Sequence, residues 1–535
     1  MIDRLIGSVL WRQLPFAVLL CILIGCQASS DAIPEGEPSI ASEKTPALPS
    51  LRIINAVLLD GTGAPATPGQ LRIQGSRILE IGNDLEPRPG EEVFDAQGKV
   101  LAPGFIDTHS HVDDGLLQEP DALAAVSQGI TTVVVGQDGE APFPLAEFFS
   151  ALESSPAAIH LASYVGHGTL RYRIMGLEER HATPEEVAQM NQLLRQEMES
   201  GALGLSTGLE YEPGMYSSTD ELIELARVTA QAGGRYISHL RSEDRHFWAA
   251  VDELITIGEE AKIPVQISHL KLAMRRHWGQ ASELLHRLDQ ARARGIEVSA
   301  DLYPYTYWQS SMTVLFPAGD FDNAQTARFV LREIVPADRL LIPQFDPRPE
   351  LTGKTLAEIA RAESQDPATL LLDLVQEAAA FPADSNQVHE SVIATSMDER
   401  DVAKLMTWSH ANFCTDGELR DSHPRGFGTM SRILGRYVRE LGVLTLPEAI
   451  QRMTGLAAQH MGFSDRGLLR EGMAADLVLF DPETVSDRST LESPHSLSTG
   501  IERVWVHGQV VFENGQTTGR YPGTVLRRRK ASEAK

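Results

Sequence analysis

Cysteine and basic charge are both scarce in this 535-residue sequence. Its three cysteines, Cys21, Cys26 and Cys414, are too few for a disulfide scaffold or for a structural zinc site made of four thiolates. Lysine and arginine total 47 against 73 aspartates and glutamates, so the formal net charge is −26 and binding to nucleic-acid phosphates is disfavoured. The composition is globular, with 42% hydrophobic and 22% charged residues, and the length allows several domains.

The apolar run nearest the N-terminus, residues 14–25, is too short to cross a membrane, which takes about 20 apolar residues. It follows Arg4 and Arg12, an arrangement typical of a secretory signal. The run ends in Leu23-Ile24-Gly25-Cys26, which resembles the lipobox of bacterial lipoproteins. The resemblance implies cleavage before Cys26, lipidation of its thiol and a membrane tether. The alternative is an ordinary secreted protein.

We therefore expect a lipoprotein signal peptide over residues 1–25 and a flexible, Pro-rich tether over residues 26–47. The protein would face the periplasm from the cell envelope, attached to the membrane only through the lipid on Cys26. Gln27, rather than an aspartate, follows the lipidated position, and the lipoprotein sorting rule then favours the outer membrane.

Strand-like stretches bounded by turn residues occur near both ends of the chain. They are short and rich in Val, Ile and Leu, and lie at residues 51–59, 71–74, 475–480 and 503–512. Because both ends show the same pattern, we predict one small composite β-sandwich built from residues 48–103 and 465–525.

Between these ends, short β-branched runs alternate with amphipathic segments of helical length. Eight runs are candidate strands: 104–111, 131–136, 162–168, 202–208, 235–239, 264–269, 296–303 and 412–416. Helices are predicted over, for example, residues 184–200, 220–232 and 280–294. Eight strand–helix units predict an α/β fold, a parallel (β/α)8 TIM-like barrel over residues 104–464. Residues 318–395 are predicted to be a subdomain inserted between barrel strands seven and eight.

Polar residues at the ends of these strands indicate a metal site. His109 and His111 are two residues apart on the first strand, so their side chains share a face. His239, His269 and Asp416 end the fifth, sixth and eighth strands, and active sites of such barrels lie at the carboxyl ends of the strands. Imidazole and carboxylate ligands suit Zn²⁺.

Three other features favour different chemistry. Residues 204–208 match the G-x-S-x-G pattern of a nucleophilic serine, but a loop follows them instead of the required helix. Cys414 is an alternative nucleophile, although its place two residues before Asp416 on a strand favours packing. His167 lies between two glycines and is consistent either with a substrate contact or with a loop cap.

Several segments resemble a known family. Pro103-Gly-Phe-Ile-Asp-Thr-His-Ser-His111 is similar to the first-strand motif of the amidohydrolase superfamily. Within that superfamily, the chain from about residue 50 to 520 resembles the D-aminoacylases, or N-acyl-D-amino-acid deacylases. Six segments carry this resemblance in order: 127–136, 166–171, 201–209, 267–271, 302–305 and 422–425.

The resemblance implies roles for individual residues. It implies four histidine metal ligands: His109, His111, His239 and His269. It gives Asp416 two roles, as a metal ligand and as the group that takes the proton of water and passes it on. It also implies a clamp for a substrate carboxylate, formed by Lys271, Tyr303 and Arg425. The planar fork of an arginine suits that task.

One position departs from the family pattern. The family has Asn-Cys-Gly after the second strand, with the cysteine as a metal ligand, whereas this sequence has Gln137-Asp138-Gly139. We expect Asp138 to replace the thiolate, with Glu140 as the less favoured substitute. Carboxylate is a harder ligand than thiolate, so one or two zinc ions or another divalent metal are all consistent with the sequence. No lysine ends the fourth strand, which disfavours the carbamylated-lysine bridge of hydantoinases and dihydroorotases.

The activity that the resemblance implies is metal-dependent hydrolysis of a linear amide. The substrate would be an N-acyl-D-amino acid, or a dipeptide with a C-terminal D-residue, that carries a free carboxylate. A hydroxide generated at the metal would attack while Asp416 acts as general base and then acid. A cyclic-amide hydrolase or deaminase on the same scaffold is the alternative, and an inactive binding lipoprotein is a further one. The oligomeric state cannot be read from the sequence.

Overall fold

The structure is a computed structural model that describes residues 50–382, 388–420 and 422–529. The expected signal peptide 1–25, the tether 26–47 and the lipid attachment at Cys26 lie outside the described residues. Within the described segments, no helix has both the length and the apolar character that crossing a membrane requires.

Five strands come first along the chain. They are β1 (Ser50–Leu58), β2 (Thr67–Gln74), β3 (Arg77–Gly82), β4 (Glu92–Asp95) and β5 (Val100–Pro103). β1 pairs with β2 in antiparallel orientation and with β4 and β5 in parallel orientation.

Strands and helices then alternate. The strands are β6 (Phe105–Asp107), β7 (Ile130–Val135), β8 (His160–Ser163), its short continuation β9 (Val165–Gly166), β10 (Gly204–Gly208), β11 (Arg235–His239), β12 (Val265–Ile267) and β13 (Val298–Leu302). The helices are α1 (Leu123–Val126), α2 (Leu145–Ser154), α3 (His167–Met175), α4 (Pro184–Glu199), α5 (Thr219–Gln231), α6 (Phe247–Ala261) and α7 (Ala281–Ala293). The strand and helix positions expected from the hydrophobic pattern are confirmed over this region.

A subdomain with its own sheet and core follows β13. Its strands are β14 (Tyr307–Ser310), β15 (Leu340–Phe345), β16 (Lys354–Thr355) and β17 (Glu390–Thr395), and its helices are α8 (Ala324–Phe329), α9 (Leu356–Glu363) and α10 (Pro367–Ala380). The sheet order is β14-β17-β15-β16, and a separate hydrophobic cluster fills the subdomain. The insertion therefore begins at Tyr307 rather than at residue 318. Its first strand pairs only with the distant β17, so the local pattern gave no sign of it.

The remaining elements complete the barrel and return to the first sheet. They are α11 (Glu399–Met406), β18 (Ala411–Phe413), α12 (Arg425–Arg432) with a π-helical continuation (Ile433–Glu440), α13 (Leu446–Met453), α14 (Gly455–Met461), β19 (Leu477–Phe480), β20 (Ile501–Val506), β21 (Gln509–Glu513) and β22 (Gln516–Thr517).

The barrel closes between its first and last strands. Parallel pairing joins β6-β7-β8 and, in a second ladder, β9-β10-β11-β12-β13-β18. The N–H of Asp416 donates to the carbonyl of His109 at 2.8 Å, and the N–H of His111 donates to the carbonyl of Gly417 at 2.9 Å. Since β8 and β9 flank Tyr164 as one bent strand, the barrel has eight strands, and the predicted (β/α)8 fold is confirmed.

The two chain ends share one nine-stranded sheet of order β22-β21-β20-β19-β5-β1-β2-β3, with β4 beside β1. The junction is the antiparallel pair of β19 and β5, in which Leu477 lies opposite Pro103. Backbone hydrogen bonds from Ile78 to Met473 and from Ala475 to Ser76 bring the far edge of the sheet back toward β19. The strands therefore enclose a hydrophobic cluster that includes Trp505.

Local sequence explains the regular elements. Residues 130–135 of β7 are all buried, as expected for a parallel strand with helices on one face and the barrel interior on the other. At the start of α4, the Thr183 hydroxyl accepts the N–H of Glu186, the Glu186 carboxylate accepts the N–H of Thr183, and Pro184 occupies the first turn.

Candidate metal centre

Two histidines and two aspartates meet at the carboxyl end of the barrel. The Nε2 atoms of His109 and His111, which follow β6, lie 3.3 Å apart. Oδ1 of Asp416 lies 3.3 Å from each of these nitrogens. Oδ2 of Asp138, which follows β7, lies 3.3 Å from His109 and 3.5 Å from His111. These four residues form the first ligand group.

A second group lies beside the first and shares one residue with it. Nδ1 of His239, the last residue of β11, is 3.0 Å from Nε2 of His269, which follows β12. The same His269 nitrogen is 3.5 Å from Oδ1 of Asp138. Asp138 therefore turns one carboxylate oxygen toward each group.

The backbone at this site adopts conformations that side-chain-bearing residues seldom take. Asp138, His269 and Asp416 all have positive φ, at 52°, 36° and 51°. Such strain persists where the surroundings over-determine it, as they do at functional sites. The Asp301 carboxylate accepts the N–H of His269 at 2.5 Å, and the His109 carbonyl accepts that of Asp416.

The glycines of the G-x-S-x-G segment serve packing. A Cβ at Gly208 would lie 2.0 Å from the carbonyl oxygen of Asp138, so only glycine lets that loop approach β10. A Cβ at Gly204 would lie 1.8 Å from the carbonyl oxygen of Arg235. The hydroxyl of Ser206 accepts the N–H of Gly139 at 3.0 Å. This serine therefore holds the loop that carries Asp138, and it does not act as the nucleophile that the G-x-S-x-G pattern suggested.

The donor set fits divalent metal. Four imidazoles and two carboxylates are the ligand types of zinc sites, and the ligand atoms of each group lie within 4.8 Å of one another. Oδ1 of Asp138 and Nδ1 of His109 are buried and have no hydrogen-bond partner among the described residues. Buried polar atoms are normally satisfied, so an unpartnered carboxylate oxygen aimed at imidazoles is what a metal ligand would show.

Two glutamates that the sequence analysis did not identify lie behind the histidines. The carboxylate of Glu210 is 3.1 Å from Nε2 of His239, and that of Glu243 is 3.0 Å from Nδ1 of His269. Carboxylates in this position orient metal-binding imidazoles. One sign of them was present in the sequence, since each glutamate follows the end of a predicted barrel strand by a few residues. That spacing alone did not distinguish them from ordinary glutamates in surface loops.

The three proposed clamp residues are also brought together. Arg425 and Lys271 lie over the ring of Tyr303, at 5.1 Å and 6.0 Å from its centroid. The Tyr303 hydroxyl is buried and has no hydrogen-bond partner in the part of the chain that the structure describes, and burial raises its pKa well above the ordinary value. Nη1 of Arg425 contacts Oδ2 of Asp416. Burial disfavours ionisation of Asp416, but Arg425 and the nearby imidazoles outweigh it and lower the pKa of that carboxyl.

Lys271 is less available for binding a substrate carboxylate than the sequence suggested. Its Nζ lies 2.6 Å from both carboxylate oxygens of Glu243 and 2.8 Å from Nδ1 of His269. The lysine is therefore paired beside the metal ligands.

The other candidates lie outside this arrangement. Cys414 is fully buried with its Sγ 3.3 Å from Asp301, and burial raises the pKa of the thiol well above normal, so it is not a poised nucleophile. His167 is buried and pairs with Glu221 at 2.9 Å, away from the residues that line the cavity. Glu140 lines the cavity but belongs to neither ligand group. Leu209 and Glu210 follow β10, so no lysine is available there as a bridge.

A cavity of about 370 Å³ opens over these groups. Its floor includes His111, Asp138, His269 and Asp416, and its walls include Lys271, Tyr303 and Arg425. The insertion covers it with residues that include Trp308, Leu315 and Glu390. The volume suits a small molecule with several polar groups.

The chain is similar to known proteins along most of its length. The amidohydrolase family pattern matches residues 92–334 and 360–512. The chain is 36% identical over 506 residues to D-aminoacylase of Alcaligenes xylosoxydans xylosoxydans, covering 90% of this chain and 98% of that protein. It is 37% identical over 495 residues to N-acyl-D-glutamate deacylase of the same organism, covering 88% and 95%.

Solved structures give the same result. A D-aminoacylase crystal structure superposes with a TM-score of 0.79 at 34% identity, over 89% of this chain and 99% of that one. N-acyl-D-glutamate deacylase of Bordetella bronchiseptica, complexed with zinc and a phosphonate inhibitor, superposes with a TM-score of 0.79 at 35% identity, over 90% and 100%. A further D-aminoacylase structure was solved to examine its binuclear metal centre.

Proposed function

Because this chain belongs to the amidohydrolase family, we propose that it is a metal-dependent hydrolase of N-acyl-D-amino acids. The observation that carries the proposal is the cluster of four histidines and two aspartates, five of which line one cavity, within a chain that matches a D-aminoacylase along nearly its whole length. The paired residues Asp416 and Arg425 line the same cavity, so the groups needed for proton transfer and for carboxylate binding lie together.

The metal would be held by His109 and His111 with Asp416 on one side and by His239 and His269 on the other, with Asp138 between them. Zinc in this position lowers the pKa of a water molecule toward ~7 and polarises a carbonyl group. Glu210 and Glu243 fix the orientation of the imidazoles behind it.

Asp416 acts as the proton carrier. Its carboxylate lies between the metal ligands and Arg425, and the paired guanidinium of Arg425 keeps it ionised and able to accept a proton. It takes the proton of the attacking water and delivers it to the departing amine, as a general base and then a general acid.

Arg425 and Tyr303 bind the α-carboxylate of the substrate. A guanidinium matches a carboxylate with two parallel N–H groups, and the buried Tyr303 hydroxyl offers an unused donor. Lys271 has a smaller part in binding the substrate carboxylate, because its ammonium group is already paired with the carboxylate of Glu243.

The test of this function compares enantiomers. The full-length, zinc-loaded enzyme is expected to hydrolyse N-acetyl-D-methionine at least about 100-fold faster than N-acetyl-L-methionine, because the carboxylate, the acyl carbonyl and the side chain must all fit at once. Release of free amino acid is the measurement. Equal rates for the two enantiomers would contradict the proposed preference for D-amino acids. No hydrolysis of either would contradict the proposed deacylase activity.

We further propose that the protein is a lipoprotein attached to the outer membrane through Cys26, supported by the apolar run and lipobox-like end of residues 14–26. The wild-type protein is expected to sediment with membranes, and Cys26→Ser to appear in the soluble fraction. Cys21→Ser is the matched control and should stay with the membranes. Wild-type protein that is soluble without detergent would support ordinary secretion instead.

A further inference from the structure

The insertion supplies ten of the residues that line the cavity. We call these lining residues the roof: Trp308, Gln309, Ser310, Ser311, Val314, Leu315, Ile334, Val388, Glu390 and Ser391. Five of the ten are apolar, four are neutral and polar, and one is a carboxylate. A substrate whose amide lies at the metal and whose carboxylate lies at Arg425 has its remaining groups available to meet this surface.

Among the described residues that line the cavity, carboxylates outnumber lysine and arginine by eight to two. Lys271 and Arg425 are the only lysine and arginine among the described lining residues, and each is already paired with a carboxylate, Glu243 and Asp416. Six acids line the cavity besides Asp138 and Asp416: Glu140, Glu210, Glu243, Asp244, Glu390 and Glu418.

Glu390 is the acid of the roof. It is the first residue of β17, and both of its carboxylate oxygens lie 2.9 Å from the N–H of Met312, its only hydrogen-bond donor among the described residues. No cationic side chain pairs with it there, and burial raises its pKa to about 7. A carboxylate held in this way still has acceptor positions, and an arriving cation would stabilise its ionised form.

Resting on the proposed function, we propose that Glu390 determines substrate specificity: the roof accepts a basic D-side chain, an aliphatic stem ending in a cation, and rejects an acidic one. Val314, Leu315 and Ile334 provide the apolar surface for the methylene groups of a lysine- or arginine-like stem. Glu390 provides the counter-charge at its end. An acidic side chain at that place would face Glu390, which pairs with no cationic side chain among the described residues, and like-charge contacts of this kind reduce affinity strongly.

This specificity differs from that of two relatives. The relatives named N-acyl-D-glutamate deacylase and N-acyl-D-aspartate deacylase share 37% and 36% identity with this chain. Their names describe acidic substrates, whereas the roof described here carries a carboxylate of its own.

The experiment compares three substrates with full-length, zinc-loaded enzyme: N-acetyl-D-lysine, N-acetyl-D-methionine and N-acetyl-D-glutamate. We expect kcat/KM to be highest for the lysine substrate and lowest for the glutamate substrate. In Glu390→Gln the lysine-to-methionine ratio of kcat/KM should fall about 10- to 100-fold, the value of a charge-assisted hydrogen bond. A ratio does not depend on the fraction of active protein. Glu350→Gln is the matched control, since it removes one exposed charge from the insertion outside the cavity lining and should leave the ratio unchanged.

Two outcomes would overturn the inference while leaving the proposed function intact: hydrolysis of the glutamate substrate in preference to the lysine substrate, or an unchanged lysine-to-methionine ratio in Glu390→Gln. No hydrolysis of any of the three would instead reject the proposed function. In that case calorimetric binding of N-acetyl-D-lysine and N-acetyl-D-glutamate still decides the specificity, because the inference requires tighter binding of the lysine compound and its loss in Glu390→Gln.

Discussion

Asp416→Asn is expected to lower kcat by about 100- to 10,000-fold, which is the usual contribution of a positioned general base. Asparagine keeps the size and the oxygen that faces Arg425, but its amide cannot accept the proton of the attacking water. Zinc should stay bound, since Asp138, His239 and His269 are unchanged. The measurements are kcat for N-acetyl-D-methionine and the zinc content of the same sample.

The control for this variant is Asp289→Asn. Asp289 lies on α7, accepts a hydrogen bond of 2.8 Å from the Trp408 indole and does not line the cavity. The same chemical change there should therefore leave kcat nearly unaltered. An Asp416→Asn enzyme that binds zinc and turns over at the wild-type rate would exclude Asp416 as the proton carrier.

The second large effect concerns Arg425. Removing one member of a buried charge pair costs roughly 2–5 kcal/mol, so Arg425→Ala is expected to lower kcat/KM by at least about 30-fold. Arg425→Lys should recover little of this, because an ammonium group cannot reproduce the two parallel N–H bonds of a guanidinium.

The role of Arg425 in carboxylate binding can be separated from its contact with Asp416. Wild-type enzyme should strongly prefer N-acetyl-D-methionine to its C-terminal amide, which lacks the negative charge. In Arg425→Ala the kcat/KM values of acid and amide should approach each other. A wild-type enzyme that hydrolyses the two equally well would show that no carboxylate clamp operates.

The architecture and the meeting of the histidines could be predicted from the sequence because they depend on local periodicity. The two-residue spacing of His109 and His111 predicted that their side chains lie together, and they do, although both follow β6 instead of lying on it. A strand end places His239 at the mouth of the barrel. Asp138 needed the family resemblance, because an aspartate in a loop is common and only the missing cysteine made it informative.

The residues that escaped sequence reasoning depend on distant contacts. Glu210 and Glu243 become neighbours of the imidazoles only once β10, β11 and β12 lie side by side. Glu390 reaches the cavity because β17 pairs with β14 and β15 across a long stretch of chain. The ion pair of Lys271 with Glu243 could not be anticipated from either residue alone.

The most direct test is removal and return of the metal. Wild-type enzyme treated with a chelator and dialysed should contain no zinc by mass spectrometry and should lose hydrolysis of N-acetyl-D-methionine to background. One or two equivalents of zinc per chain should restore the rate. Metal-free enzyme that retains its full rate would contradict the account, because the four imidazoles and two aspartates would then have no metal-dependent task.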